Sequence, residues 1–471
     1  MIAIFVLIYL LSFIMALYNI LLDNRQGFML FLIFGLSIYT TAMSVAFMLG
    51  LKQFIPFFQG FKELLVFIML LINIAALKTR PRWHVIDYLI LAFLGYTTLY
   101  TLLPVGGLSF VARLTALKST SFFLLVYFTG RLFDIKSLYI NKYFTYIAIL
   151  AIAAGVVVSF EAATYEHLQS HTGYADYVYY YFNIEPDGSF GLSTTFESEG
   201  GYKRFGSFYT NPLEHAAATL IALAAIMALY TRDDNKIEFK PMAVLAFGAT
   251  LLSIIFAFSR APFVSYFLMI YIYALVTHKK SLVKLIHYGF GLVACYLIYQ
   301  IILFDNKTDG IIAVVISTLN FSNPSSVGHV VAWLEGITAI VNHPFGMGMG
   351  ATGRVGASLN DEVVGGENQY LIIGVQAGLI ALILYLSIYI MFIKQGLKWV
   401  KLLKGKERKI CIAVLMLKIG FLIPSFTSEF EGSSYISYMN WFLSGLFIAT
   451  IMQHTADEVP DTKALPVPVN A

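Results

Sequence analysis

Four short stretches of this chain carry the residues able to do chemistry. "YKRFGSFYTNPLEHA" holds Arg204, Tyr209 and His215, and "FAFSRAPF" holds Arg260. "GHVVAWLEGITAIVNHPFGMGMG" holds His329, Trp333, Glu335 and His343, and "GGENQYLIIGVQAGL" holds Glu367, Asn368 and Tyr370. A guanidinium keeps its charge at any ordinary pH and binds phosphate or carboxylate through paired N–H groups. Arg260 follows Ser259 and precedes Pro262, which suits the first turn of a helix, where free backbone N–H groups also favour an anion. The alternative is an arginine snorkelling to an interface. Arg204 precedes Gly206, and Asn211-Pro212 reads as an N-cap with proline at the first helical position; its alternative is a solvated loop charge. Glu367 at a helix start is suited to general-base chemistry if desolvation raises its proton affinity, or it simply complements the helix dipole. His215 has a packing role as its alternative. His329, Trp333 and Glu335 sit on an amphipathic stretch ended by His343-Pro344.

These stretches must be placed by a hydrophobic scaffold. The 471 residues are 59% hydrophobic and only 12% charged, about half the charge of a soluble domain. Solid apolar runs of about 18 or more residues recur, each able to cross a hydrocarbon core of about 30 Å. They do not alternate apolar and polar as barrel strands do, so the expectation is an all-α polytopic membrane protein. About thirteen segments are predicted: 2–22, 28–50, 63–77, 87–103, 114–130, 143–160, 212–231, 242–258, 262–277, 287–304, 369–393, 410–424 and 434–452. The third is expected to be short and tilted or re-entrant, and twelve spans result if one early segment does not cross. No cleavable leader is expected. The whole of 1–471 reads as one integral membrane domain.

Charge sets the expected orientation. One set of loops holds most of the 31 basic residues, including a run from Lys394 to Lys409. The other holds only Lys52, Lys62, Arg113, Lys118, Lys203, Arg204, Arg260, Lys307 and Arg354. Basic residues favour the cytoplasmic side, which puts the amino terminus outside and the tail 453–471 inside. Two long loops, 161–211 and 305–368, then lie outside, together with all four stretches. The first loop is acidic and rich in tyrosine, suited to stacking on sugars or to an interfacial aromatic belt.

No P-loop, CxxC pair or dinucleotide fingerprint occurs. Cys295 and Cys411 fall in apolar runs and read as buried thiols. Neither a cofactor nor a metal is expected, nor a nucleic-acid partner. Lys418 inside a span is the feature that best suits a transporter, although it could snorkel or pair with a carboxylate in the bundle; no internal repeat of the transporter kind is evident.

The order of motifs, with Arg-Phe-Gly…Asn-Pro entering a helix, a Ser-Arg-Ala turn, a long loop with "W…HPFGMGMG" and a final "ENQYLIIGVQAGL" helix, resembles the O-antigen polymerase and O-antigen ligase superfamily of bacterial membrane glycosyltransferases. The likeness covers roughly residues 200–393. It implies a GT-C-like, all-helical fold of about 12–13 spans in the bacterial cytoplasmic membrane, with the active face extracytoplasmic. It implies transfer of a glycan from an undecaprenyl-diphosphate-linked donor to an acceptor, with inversion and without a metal, amid membrane lipid and with a chain-length regulator as a further partner. Arg204 and Arg260, with His329, would hold the diphosphate; Glu367 would be the base; Tyr209, His215, Trp333, Glu335, His343, Asn368 and Tyr370 would line the glycan site. Two departures stand out. Members of the superfamily commonly carry arginine where this chain has His329, and ligases commonly carry His-Asn where it has Glu367-Asn368, which favours a polymerase over a ligase.

Overall fold

The structure is a computed structural model that describes residues 2–198, 201–302, 324–358 and 364–458. Parts of the predicted second loop and the tail beyond residue 458 lie outside the described residues. Among the described residues there are helices and two isolated β-bridges but no named strand. The helices, in chain order, are α1 (Ile4–Leu21), α2 (Gly27–Met48), α3 (Lys52–Ala75), α4 (Val85–Leu102), α5 (Phe110–Ser121), α6 (Phe123–Arg131), α7 (Ile140–Thr164), α8 (Tyr174–Phe182) and α9 (Pro212–Leu229). They continue with α10 (Pro241–Phe256), α11 (Arg260–Val276), α12 (Lys280–Ile302), α13 (Pro324–Asn342), α14 (Gly353–Ala357), α15 (Gln369–Trp399), α16 (Gly405–Phe426) and α17 (Ser434–Ala456).

Among the described residues nine of these are long and apolar enough to cross a membrane, or ten if α5 and α6, bent by 43°, form one broken span. The chain is therefore an all-helical protein with the make-up of a multi-pass membrane protein, and among the described residues nine or ten helices pass this test against the twelve or thirteen spans expected. All thirteen predicted segments do fall on helices. However, α10 and α11 have 16 and 17 residues, which at 1.5 Å per residue reach only about 24–26 Å. The third segment is longer than expected. The third segment belongs to the 24-residue α3, and the fifth is the bent one. A third correction concerns Cys295, which is exposed on α12, whereas Cys411 is buried.

The bundle closes on its last helix. α17 packs along α6 with backbone nearly touching backbone: a Cβ at Gly130 would stand 2.2 Å from Phe442 O, and one at Gly445 would stand 2.1 Å from Tyr127 O. Small residues permit such approach, and dispersion then does the work that the hydrophobic effect cannot do in lipid. At the same end of α6, Arg131 Nε lies 3.1 Å from both oxygens of the fully buried Asp87.

The longest helix, α15, is broken at Gly378, where φ is 79° and ψ is −178°. The break frees backbone groups, and the loop after α13 takes them up. Met347 N donates to Val375 O at 2.7 Å, Gly348 N to Gln376 O at 3.1 Å, and Leu379 N to Pro344 O at 2.9 Å. A Cβ at Gly378 would meet Phe345 C at 2.4 Å, so glycine is required there by both conformation and space. We expect Gly378→Ala to cost about 1–3 kcal/mol from backbone strain alone, lowering Tm in detergent by several degrees. Gly248→Ala, at an open helical position, should be neutral or slightly stabilising. Equal melting of the two variants would remove the break as a structural requirement.

Candidate functional site

The first long loop is pinned from below before it delivers Arg204. Glu161, at the end of α7, accepts from Leu168 N and Ser207 N, both at 2.8 Å. Gln169 Nε2 donates to Ser207 O at 2.8 Å and Tyr209 O at 2.7 Å. The chain then runs past the end of α10: Arg204 N donates to Phe196 O at 2.9 Å, and Phe205 N to Phe256 O at 3.0 Å. Asn211 caps α9, accepting from Glu214 N at 3.0 Å, with Pro212 in the first turn.

The α10–α11 turn brings Arg260 to the same place. Phe258 holds a left-handed φ of 47°, a conformation that costs a non-glycine residue about 1–2 kcal/mol. Ser259 is then extended and Arg260 opens α11. Arg204 Nε reaches Ala257 O in this turn at 3.5 Å. Arg204 is half-buried and Arg260 exposed. Burial, and then the neighbouring Arg260 charge, lower the Arg204 pKa to about 10, with Glu367 acting in the opposite sense. Arg204 therefore stays protonated at neutral pH while sitting beside a second cation, an arrangement that a polyvalent anion would relieve.

Glu367 lies on the exposed corner before α15. Behind it Asn368 is an N-cap, accepting from Tyr370 N at 2.9 Å and Leu371 N at 3.2 Å. The Tyr370 hydroxyl donates to Leu422 O at 3.1 Å. Asn368 and Tyr370 thus hold the corner and are buried. Tyr209 and His215 are buried too, their rings stacked at 5.5 Å with His215 Nδ1 3.0 Å from Phe205 O; both are enclosed by protein and do not face the surface. Trp333 Nε1 donates to Phe426 O at 3.0 Å, and the half-buried His329 ring lies 6.4 Å from the Trp333 ring. Glu335 and His343 face a separate open hollow of about 480 Å³, lined also by Val331, Leu334 and Met347. Arg260 and Glu367 thus lie near enough to act on the Arg204 charge, while Glu335 and His343 line the separate hollow.

Two residues that the motif reading passed over, Glu429 and Glu431, belong to this end of the bundle. Glu429, between α16 and α17, is buried and accepts from Ser119 Oγ at 3.2 Å and from Arg354 N at 2.6 Å. Burial pushes its carboxyl above the usual carboxylate range; the Arg354 charge and the hydrogen bonds oppose this, and Glu367 adds to it. Arg354 stands near Glu214 as well. Glu431 accepts from the Tyr385 and Tyr389 hydroxyls at 3.1 Å each and from Trp441 Nε1 at 2.9 Å, while its own N–H donates to Gln369 Oε1 at 3.1 Å. It thereby ties both halves of α15 to α17. Lys418 is fully buried beside it, donating to Asn440 Oδ1 at 2.9 Å with the Trp441 ring centroid 4.1 Å away.

Compared with known protein families and with curated proteins, the chain finds no family model that matches and no significant relative. Among the described residues no three or more His, Cys, Asp or Glu side chains gather as metal ligands would. The two arginines give the site its expected ligand chemistry. Inorganic pyrophosphate at about ten times its Kd should stabilise the purified protein by about 1.4 kcal/mol, read as a rise in Tm. Arg204→Ala and Arg260→Ala should each lose that rise, and an unchanged rise in both would show that the anion binds elsewhere.

Proposed function

We propose that the chain is a bacterial polysaccharide polymerase, a glycosyltransferase that joins polyprenyl-diphosphate-linked repeat units at the outer face of the cytoplasmic membrane. The observation that carries this reading is the meeting of Arg204 and Arg260, from separate parts of the chain, with Glu367 close enough to act on the Arg204 charge. The order of the four motifs supports it further.

The reaction needs two things from the protein. The diphosphate leaves with the bonding electron pair of the anomeric C–O bond, so negative charge grows on its bridging oxygen. Two guanidiniums fixed in place stabilise that charge without reorganising. On the opposite side of the sugar, the acceptor hydroxyl forms the new C–O bond and gives its proton to a carboxylate, the role we assign to Glu367. Attack opposite the leaving group inverts the anomeric carbon.

Glu367-Asn368 favours a polymerase over a ligase, since ligases of the resembling superfamily commonly carry His-Asn there. Lys418 lends a transporter reading less weight, because its ammonium is enclosed by aromatic rings and Asn440.

Removing one positioned donor from such a site typically costs about 10²–10³ in rate. Arg204→Ala and Arg260→Ala should therefore abolish chain extension in complemented cells while the proteins still accumulate in the membrane. Glu367→Gln should be similarly inactive. Normal polymer lengths from both arginine variants would overturn the diphosphate role, and a wild-type rate from Glu367→Gln would move the base elsewhere.

A further inference from the structure

A second hollow lies far along α17 from the Glu431 brace. It has a volume of about 440 Å³ and opens between the chain that follows α3, the end of α6 and the last turns of α17. Ala449 and Ala456, both in its lining, stand about 22 and 33 Å along α17 from Ser434 at 1.5 Å per residue. The hollow is thus separated from Glu431 by most of the thickness of a hydrocarbon core. With the orientation that the basic loops predict, this end faces the cytoplasm.

The polar lining comprises Thr79, Arg80, Arg82, Arg131, Asp134 and Gln453. The three arginines are not equivalent. Arg131 is buried, with its Nε on both oxygens of Asp87, and its Nη2 donates to the carbonyl of Arg82. Its charge is therefore already matched, and it fixes the main chain that carries Arg82. The far end of the same link is held by the cap of α4, where His84 Nδ1 accepts from Ile86 N at 3.2 Å and His84 N donates to Asp87 Oδ2 at 2.8 Å. Arg80 and Arg82 stand on this anchored link with their side chains exposed. Neither forms an ion pair within 4 Å among the described residues. Asp134 brings one carboxylate, whose Oδ1 accepts from Lys136 N at 3.0 Å. Two unmatched guanidiniums against one exposed carboxylate leave the hollow positive.

A guanidinium binds a phosphodiester through paired N–H groups. The walls favour a phosphate that arrives on a lipid. Leu77, Phe133 and Met452 line the hollow beside the arginines. Leu71 and Ile74, a turn apart on α3, are exposed, and so is Leu77 beyond its end. An apolar track thus runs along the outside of the bundle to the arginines. Trp83, exposed next to Arg82, is of the type that gathers at headgroup level. Acyl chains can lie on such a track, whereas a soluble phosphate ester has nothing to place there. Basic hollows between helices on the cytoplasmic side suit anionic headgroups for the same reasons.

We propose that the hollow at Arg80 and Arg82 binds an anionic phospholipid of the cytoplasmic leaflet, its phosphate held by the two guanidiniums and an acyl chain lying along Leu71, Ile74 and Leu77. Seated there, the lipid ties the link before α4 to the last turns of α17. The assignment does not depend on the reaction proposed for the other end of the bundle.

The test uses the full-length protein in a neutral detergent, with phosphatidylglycerol, phosphatidylcholine and soluble glycerol 3-phosphate as probes, read by native mass spectrometry. Phosphatidylglycerol should bind about tenfold or more tightly than either of the others, the effect of one or two charge-assisted hydrogen bonds. The double variant Arg80→Gln/Arg82→Gln should lose that advantage. Lys279→Gln/Lys280→Gln, which removes the same charge from the turn before α12, should bind phosphatidylglycerol as the wild type does. Should the double arginine variant fail to fold, Arg82→Gln alone serves, with a loss of about threefold or more. Equal binding of the two lipids, undiminished binding in the arginine variant, or an equal loss in the lysine variant would each overturn the site, the last by showing only diffuse charge attraction. Glycerol 3-phosphate binding as tightly as phosphatidylglycerol would overturn the lipid assignment and make the ligand a soluble phosphate ester.

Discussion

The structure turns on a helix that stops and restarts inside the protein. In an apolar surrounding an unpaired backbone group costs several kcal/mol, so a break such as that at Gly378 survives only if another piece of chain satisfies what it frees. The Pro344–Gly348 loop does this with three hydrogen bonds, and it can come close enough only because glycines face one another across the contact. The Tyr100 hydroxyl donates to Gly346 O at 2.9 Å and fastens the loop to α4. The kink lets the first turns of α15 take a direction of their own, and it is at their start that Glu367 and Asn368 sit. Glu431 then braces the two halves from the other side.

With that corner fixed, charges from six places in the sequence form a chain of neighbours. Arg260 acts on Arg204, Arg204 feels Glu367, Glu367 acts on Glu429, and Arg354 lies between Glu429 and Glu214. One end of this series is doubly positive; the other is a mixed field with a carboxylate excess.

Much of this was readable before any coordinates. Run length gave every helix long and apolar enough to cross a membrane, because a hydrocarbon core imposes a minimum length that composition reveals, and the cap at Asn211 follows from residue type and the proline after it. The break at Gly378 was not readable: glycine is common in membrane helices, and only a distant loop decides whether the helix continues through it. Helical geometry could have separated Glu335 from Trp333, since two residues are about 200° of rotation, but grouping by proximity in sequence joined them. Glu429 and Glu431 escaped because attention followed the scarce basic residues. The acidic "SEFEGS" between the last two spans was the available signal.

Lys418 bears on how the protein is made. The rings of Tyr389 and Phe392 that cover it precede it in the chain, but its polar partners, Asn440 and Glu431, and the Trp441 ring are encoded downstream. A ribosome therefore delivers an ammonium group to the bilayer while its polar partners are still untranslated, at a cost of about 2.5–3.5 kcal/mol by insertion scales. Until α17 arrives, α16 carries that cost without its polar partners. Synthesis of the final span is then the event that commits the nascent chain to its membrane, and a message truncated just before it would yield a product fit chiefly for quality-control proteolysis.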